Sequence, residues 1–284
     1  MIILWGSKGA GKTTFLTALY YAIEQSKKKW VMYAAPDDEL SRKFIIDGYK
    51  KIVEQNTFPL PTDTQEVENG ERIFQFDIGK KPTWPFSKLM YYLRKGKYNT
   101  IRLNFLDPAG EFFEQPDNKN GFEKYISKHI KNSRGLLCLI DPEREIEPST
   151  NQKSYFELLY ENFSRIRSLY ISSSSLDKIP IPIAICLTKM DQHKDQIKNP
   201  YGFAKKVMGD LAFNLIETFF QPNLTKFFAC SSVGFKKDGS PNLTQGPDFE
   251  PKPAEILNPF NIIEPIEWIM YKSNQINKYQ AYNG

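Results

Sequence analysis

The stretch GSKGAGKTT, residues 6–14, is the feature that most constrains how this chain can fold. It matches the P-loop pattern G-x-x-x-x-G-K-[ST], with Gly6, Gly11, Lys12 and Thr13 at the defining positions. The apolar run MIILW before it suits a buried strand, and TFLTALYYAIEQS after it has the character of a helix. A strand, a glycine-rich turn and a helix in this order predict a phosphate-binding loop.

The residue types of this loop explain the chemistry that it predicts. Glycines let consecutive backbone N–H groups turn inward around phosphate oxygens, and the N-terminus of the following helix faces the same anion. We expect Lys12 to reach the β- and γ-phosphates and the Thr13 hydroxyl to ligate Mg²⁺. A dinucleotide-binding loop is disfavoured, because Thr14 stands where a third glycine is needed. The remaining predicted nucleotide contacts in the loop are Gly6, Ser7, Lys8, Gly9, Ala10, Gly11 and Thr14.

Composition narrows the class of protein further. The 284 residues are 40% hydrophobic, which predicts a substantial core, and the net charge of +5 is too small to indicate nucleic acid as a partner. All three cysteines, Cys138, Cys186 and Cys230, lie in apolar runs, as is typical of buried thiols in a reducing compartment. No membrane span, signal peptide or lipidation motif is found, so we expect a cytoplasmic protein without a transmembrane or lipid anchor.

Strand-like and helix-like stretches alternate along the chain, which predicts an α/β fold with a mostly parallel central sheet and helices on both faces. The runs at 134–141 and 180–187 are almost continuously apolar, as expected for central strands buried on both faces. The runs at 71–78 and 100–107 lack a convincing helix between them, so we expect these two to pair antiparallel. The pattern indicates one domain, 1–284.

Two further motifs follow strand-like runs. DPAG, residues 107–110, fits D-x-x-G, in which Asp107 would hold Mg²⁺ through water and the Gly110 N–H would bond the terminal phosphate. TKMD, residues 188–191, fits [NT]-K-x-D. The Asp191 carboxylate can accept hydrogen bonds from N1–H and N2–H₂ of guanine, whereas adenine would leave it desolvated and unpaired. Beside Thr188, the stem of Lys189 would stack over the base.

A last short motif, CSSVG at 230–234, ends the final strand-like run. A backbone N–H of Ser231 or Ser232 is expected to meet O6 of guanine there. For TKMD and DPAG a purely structural interpretation also stays open: TKMD could be a surface Lys–Asp pair and DPAG an ordinary turn.

GSKGAGKT, DPAG, TKMD and CSSVG, in this order, resemble the Ras-like P-loop GTPases of the translation-factor-related (TRAFAC) class. The resemblance covers most of the chain, and it implies a small-GTPase-like P-loop NTPase fold that binds GTP and GDP with Mg²⁺. It also implies a threonine, in the segment before the strand-like run at 71, that closes over the metal and the γ-phosphate. In FPLPTDTQ we expect Thr62 in this role, with Thr64 as the reserve.

DPAGE, FPLPT and the long segment before the strand at 71 look more like the bacterial GTPases of conflict and signalling operons, often called double-GTPase families. That likeness implies an effector or GTPase-activating protein that acts on the nucleotide state. Where Ras-like proteins usually carry a water-orienting glutamine, this chain has Glu111. A carboxylate beside the γ-phosphate predicts slow hydrolysis. The catalytic residues expected from the resemblance are Lys12, Thr62, Gly110 and Glu111.

Two inserts interrupt the predicted core. The first, at about 31–70, contains a helix-like stretch whose predicted apolar face is Leu40, Phe44, Ile45 and Ile52. The second, at about 80–97, mixes lysines and arginines with aromatic residues. The alternatives to a slow GTPase are a module that holds GTP without hydrolysis, a P-loop ATPase or kinase, and a protein that binds nucleic acid or a membrane surface through 80–97.

Overall fold

Strands and helices alternate along the chain in the computed structural model. In chain order they are β1 (Ile2–Trp5), α1 (Lys12–Gln25), β2 (Trp30–Ala34), α2 (Glu39–Tyr49), β3 (Glu71–Lys80), β4 (Thr100–Pro108), β5 (Gly135–Ile140), α3 (Tyr155–Ile171), β6 (Ile183–Leu187), α4 (Pro200–Phe219), β7 (Thr225–Ala229), β8 (Leu243–Gln245), β9 (Pro251–Pro253) and α5 (Glu264–Asn283). The structure describes residues 1–7, 9–25, 30–34, 39–58, 71–80, 100–108, 129, 132–143, 155–171, 178–246 and 251–283.

A mostly parallel sheet forms the centre of the molecule. Within the described residues its strands follow the order β2-β3-β4-β1-β5-β6-β7. The strands from β4 to β7 are parallel to one another, and β3 pairs antiparallel with β2 and with β4. The predicted α/β P-loop NTPase fold class is therefore confirmed, as is the antiparallel pairing of the runs at 71 and 100. The edge strand β2 was not predicted.

Both faces of the central strands are buried. In β5, Leu136, Cys138 and Ile140 belong to one apolar cluster, while the alternate residues Leu137 and Leu139 belong to another. Helices α3 and α4 cover the first face, and α1 and α5 cover the second. The almost continuous apolar run in β5 is thus explained by helices on each side.

The three cysteines are free and buried, in line with the composition. Burial raises the pKa of the Cys138 thiol to about 12, so this side chain packs as a neutral apolar group. Among the described helices, none combines the length and the apolar character needed to cross a membrane.

The first insert contains the predicted helix, but one residue of its apolar face is wrong. Ile52 is buried and Phe44 packs against Phe74 with ring centroids 4.4 Å apart, whereas Leu40 is 44% exposed. The inner stripe of α2 begins at Ser41, whose hydroxyl accepts the Gln75 N–H at 2.8 Å. Leu40 comes one position before Ser41, lies outside this buried stripe and faces outward.

A glycine completes the packing of α2 against α1. A Cβ at Gly48 would lie 2.8 Å from the side chain of Thr17, so the two helices approach at a point where only hydrogen fits. Hydrophobicity alone does not identify such a contact. Nearly all of the second insert, at 81–97, lies outside the described residues.

We predict that Leu159→Ala lowers the free energy of unfolding by about 3 kcal/mol, because the side chain is buried in the cluster beneath α3 and leaves a cavity. The matched control is Leu211→Ala in α4, since Leu211 is 64% exposed and its loss should change stability by no more than about 0.5 kcal/mol. Urea unfolding followed by circular dichroism measures both. Equal losses would contradict the placement of α3 on the sheet.

Candidate functional site

The loop between β1 and α1 wraps around the ammonium group of Lys12. Lys12 Nζ donates hydrogen bonds to the backbone oxygens of Gly6 at 2.9 Å and Ser7 at 3.2 Å. The side chain is only 8% exposed. The Ala10 N–H donates to the Ser7 oxygen at 3.2 Å and closes the turn from within. A positive charge is thereby fixed at the mouth of a loop of backbone groups.

Glycine is required at three positions of this loop. Gly9 and Gly11 have φ values of 79° and 84°, in the left-handed region that other residues rarely adopt. At Gly6 a Cβ would lie 2.9 Å from the Leu139 oxygen on the neighbouring strand. The predicted glycines therefore serve the backbone path that a phosphate cradle needs, while Lys8 lies outside the described residues.

The predicted metal ligands begin at the first turn of α1. Thr13 and Thr14 are half-buried there, and the Thr13 backbone oxygen accepts the Thr17 hydroxyl at 3.0 Å. Asp107 lies near the end of β4, the parallel neighbour of β1, one residue beyond the Ile3–Leu106 pair. Its backbone is thus at the sheet edge that carries the P-loop, although the structure does not describe its side chain.

The TKMD loop, residues 188–191, is attached to the strands on both sides of it. The Thr188 N–H and hydroxyl both donate to the Ile140 oxygen, at 2.8 and 3.2 Å. The Met190 N–H donates to the Cys230 oxygen at 3.1 Å. Between these anchors Lys189 takes a left-handed φ of 55°. The backbone of this loop is therefore held by residues that lie 40 or more positions away in sequence.

Asp191 is a buried carboxyl group whose pKa is raised. Its side chain is 2% exposed, and burial raises the pKa of the carboxyl, an effect that a hydrogen bond from Ser231 opposes. The Ser231 hydroxyl donates to Asp191 Oδ1 at 2.6 Å. Asp191 Oδ2 is buried and has no hydrogen-bond partner among the described residues. One oxygen is fixed by the protein, and the other is an unsatisfied acceptor.

The structure corrects one role predicted for Ser231. Its N–H donates to the Phe260 oxygen at 3.2 Å, so it does not serve as the donor for a base carbonyl. Its hydroxyl instead orients Asp191 and accepts the Gly234 N–H at 2.8 Å. This leaves Ser232, which is half-buried beside it, as the candidate backbone donor.

Asp141 is a site residue that the sequence analysis missed. It follows β5 directly, and its Oδ2 lies 2.5 Å from Lys189 Nζ in an ion pair. The side chain of Asp141 is 5% exposed, against 41% for that of Lys189. One signal for it was present in the sequence, because Asp141 ends the apolar run at 134–141 just as Asp107 ends the run at 100–107.

The parallel sheet brings most of the predicted residues to one edge. The P-loop follows β1, the TKMD loop follows β6 and Ser231 follows β7, all at the carboxyl ends of parallel strands. In open α/β sheets this edge is where ligands bind. Four predicted residues that would complete the site lie outside the described ranges: Thr62, Thr64, Gly110 and Glu111.

Neither protein-family models nor curated protein sequences match this chain. Among solved structures it is similar to the Ski7 GTPase-like domain of S. cerevisiae bound to GDP and inorganic phosphate, with 16% identity, a TM-score of 0.42, and coverage of 87% of this chain and 47% of that one. For a GTP-binding protein from Sulfolobus solfataricus in complex with GDP, the corresponding values are 14%, 0.37, 97% and 52%.

A third similar structure is the signal recognition particle receptor SRb-GTP/SRX complex from Chaetomium thermophilum, with 14% identity, a TM-score of 0.39, and coverage of 83% of this chain and 92% of that one. This chain spans about half the length of the Ski7 and S. solfataricus chains. Similarities of this size carry no argument about function, which rests on the geometry of the site.

We predict that Asp191→Asn stabilises the nucleotide-free protein increasingly as pH rises. The pKa of Asp191 is raised from its usual 3.8, so the folded state binds this proton more tightly than the unfolded chain. The contribution of Asp191 to the free energy of unfolding therefore falls as pH rises from about 3.8 through the raised pKa. Asparagine does not titrate, so the variant is spared this loss. Urea unfolding of both proteins at a series of pH values from about 3.8 to neutral measures the difference.

The control for this prediction is Asp238→Asn. The Ser240 hydroxyl donates to Asp238 at 2.6 Å and lowers the pKa of that exposed carboxyl. Its stabilising effect is present above the usual pKa and is lost as pH falls, so the sign is opposite and Asp238→Asn should destabilise at neutral pH. A pH-independent effect of Asp191→Asn would contradict the burial of its charge.

Proposed function

We propose that this chain binds GTP and GDP with Mg²⁺, hydrolyses GTP slowly and acts as a switch for a partner protein. The observation that carries the proposal is Asp191, a buried carboxylate with Oδ1 fixed by Ser231 and Oδ2 unsatisfied among the described residues. Such an acceptor, on a strand-end loop at the same sheet edge as a P-loop, suits a ligand with both a base and phosphates.

Guanine fits this acceptor better than adenine does. Guanine presents N1–H and N2–H₂ on one edge, and both can donate to a carboxylate that is already oriented. Adenine has an unprotonated N1 at that edge, so it would leave Asp191 Oδ2 buried and unpaired, which for a charged group costs about 3 kcal/mol or more. The Ser232 N–H would donate to O6, and the Lys189 stem, next to Thr188, would cover one face of the base.

The P-loop would hold the phosphates. Lys12 already points its ammonium at the loop's own oxygens, so it can contact phosphate oxygens with little movement. The turns at Gly9 and Gly11 present backbone N–H groups, and the N-terminus of α1 adds its dipole. Residues Gly6, Ser7, Lys8, Ala10 and Thr14 complete this cradle.

The Mg²⁺ ligands in this proposal are Thr13 and Thr62, with Asp107 acting through water and Thr64 as the alternative to Thr62. A bound Mg²⁺ would neutralise charge on the β- and γ-phosphates. The half-buried Thr13 at the start of α1 and the position of Asp107 at the end of β4 fit this donor set, which is made of oxygens alone.

Hydrolysis would be slow because Glu111 replaces the usual water-orienting glutamine. In the proposed mechanism Gly110 and Thr62 contact the γ-phosphate, and their loops relax after its release. An effector or activating protein would then bind one of the two loop states, as in the double-GTPase families that the chain resembles. The same Glu111 also favours the second candidate function, a cytoplasmic single-domain module that holds GTP without hydrolysis.

We predict that the protein binds fluorescent GTP and GDP in the presence of Mg²⁺ at least about 100-fold more tightly than ATP, because adenine leaves Asp191 unpaired. Asp191→Ala should abolish this preference. Asp191→Asn should shift it towards xanthine nucleotides, since an amide can donate to the additional carbonyl of xanthine. Equilibrium titration measures the affinities for GTP, GDP and ATP and, for Asp191→Asn, the affinity for a xanthine nucleotide.

Asp210→Asn is the matched control for that titration, because Asp210 is an exposed aspartate on α4 that pairs with Lys205 at 3.7 Å. It removes one negative charge and should leave the affinities for GTP, GDP and ATP unchanged. Equal affinity for ATP and GTP, or an unchanged preference in Asp191→Ala, would refute guanine recognition and leave an ATPase or kinase as the better interpretation.

We predict that Glu111→Gln accelerates single-turnover release of phosphate from bound GTP by about tenfold or more, because the amide orients the attacking water without repelling the γ-phosphate. Lys12→Ala serves as the inactive reference, since it should weaken binding of every nucleoside triphosphate. If GTP stays bound and intact in both the wild type and Glu111→Gln, the non-hydrolysing module is the correct function.

A further inference from the structure

The carboxylate of Asp141 is held from two directions. Oδ1 accepts the Glu143 N–H at 3.0 Å, which ties the side chain into the turn after β5. Oδ2 lies 2.5 Å from Lys189 Nζ. Because the side chain is 5% exposed, its position depends on protein contacts and little on solvent. Asp141 is therefore a fixed negative point beside the TKMD loop.

The Lys189 backbone is equally well fixed. Its φ of 55° sets the direction in which the side chain leaves the loop, and the bonds of Thr188 to the Ile140 oxygen hold the loop against β5. With the backbone set at one end and the ammonium at the other, the methylene stem between them spans a defined path. A lysine with 41% side-chain exposure would otherwise sample many rotamers.

We infer that Asp141 is a positioning residue for the nucleotide base, which it serves by holding the stem of Lys189 in place before the base arrives. This inference rests on the proposed function, in which that stem covers one face of guanine. Ordering a flexible lysine at the moment of binding would weaken affinity, and an ion pair formed in advance removes that loss. The expected effect is on affinity and residence time, exerted through Lys189.

The test is a double-mutant cycle with Asp141→Asn and Lys189→Met. Asparagine keeps an oxygen that can accept the Glu143 N–H, so the turn is retained while the charge is lost. Methionine keeps an apolar stem but removes the ammonium group. We expect each single variant to raise the dissociation constant and the dissociation rate of fluorescent GDP by about tenfold, and the double variant to add little more, because both remove the same ion pair.

The Lys205–Asp210 pair provides the control cycle. Its side chains are 53% and 80% exposed on α4, and Asp210→Asn with Lys205→Met makes the same chemical changes in a pair that includes no predicted site residue. These variants should leave GDP binding unchanged. Thermal unfolding of every variant without nucleotide gives a readout of fold, and a purely structural role for Asp141 would lower the melting temperature without coupling to Lys189.

The outcomes distinguish a failure of the role of Asp141 from a failure of the proposed function. If the wild type binds GDP and the effects of Asp141→Asn and Lys189→Met multiply to about 100-fold, the two residues act independently and the inference is wrong while the proposed function stands. An unchanged GDP dissociation rate in Asp141→Asn overturns it as well. If the wild type binds no guanine nucleotide, the proposed function fails and takes the inference with it.

Discussion

The parallel register of β1, β5, β6 and β7 is the constraint on which the rest of the structure depends. Trp5 pairs with Cys138, Ile140 with Leu187, and Leu187 with Ala229, so the carboxyl ends of these strands lie side by side. Since alternate residues of β5 face different helical layers, a slip by one residue would turn every side chain to the wrong layer. Burial on both faces therefore places loops that are distant in sequence at one edge.

Hydrogen bonds beyond the strand ends extend this order into the loops. The Cys230 N–H donates to the Leu187 oxygen at 2.8 Å, and the Met190 N–H returns to the Cys230 oxygen. Residues 231–246 and 251–261 support the other side of this loop, where the fully buried Asn242 accepts the Glu255 N–H at 2.8 Å through its side chain. Ser231 is thus held by backbone contacts, and its hydroxyl is left to orient Asp191.

What the sequence predicted and what it missed differ in range. The P-loop is local, because its glycines and Lys12 act within a few residues of one another, and the α/β sheet follows from apolar runs of sufficient length. The Asp141–Lys189 pair joins residues 48 positions apart, and no local pattern indicates it. Strand β2 is an apolar run of only five residues, too short to distinguish a strand from a segment of helix, and the sequence analysis placed most of it in the first insert. Leu40 was misplaced because Ser41, a polar residue, begins the buried stripe of α2.

Asp191 and Asp238 show why the same side chain has opposite value in two places. The exposed Asp238 gains hydrogen bonds from Ser240 without losing water, so its charge favours the folded state. Asp191 loses its solvent, and the hydrogen bond from Ser231 only partly compensates, so burial dominates and its charge opposes folding.

A carboxylate that a hydrophobic residue could replace with a gain in stability is better explained by recognition than by packing. In the proposed function N1–H and N2–H₂ of guanine donate to the two oxygens of this carboxylate, and one of them supplies the hydrogen bond that is missing at Oδ2. The burial of Asp191 destabilises the free protein, and only a base with those donors relieves this cost on binding. A base without them leaves the carboxylate unpaired and binds more weakly, which produces selectivity between bases. Weak stability at this point of the sheet edge and selective binding there would have the same cause.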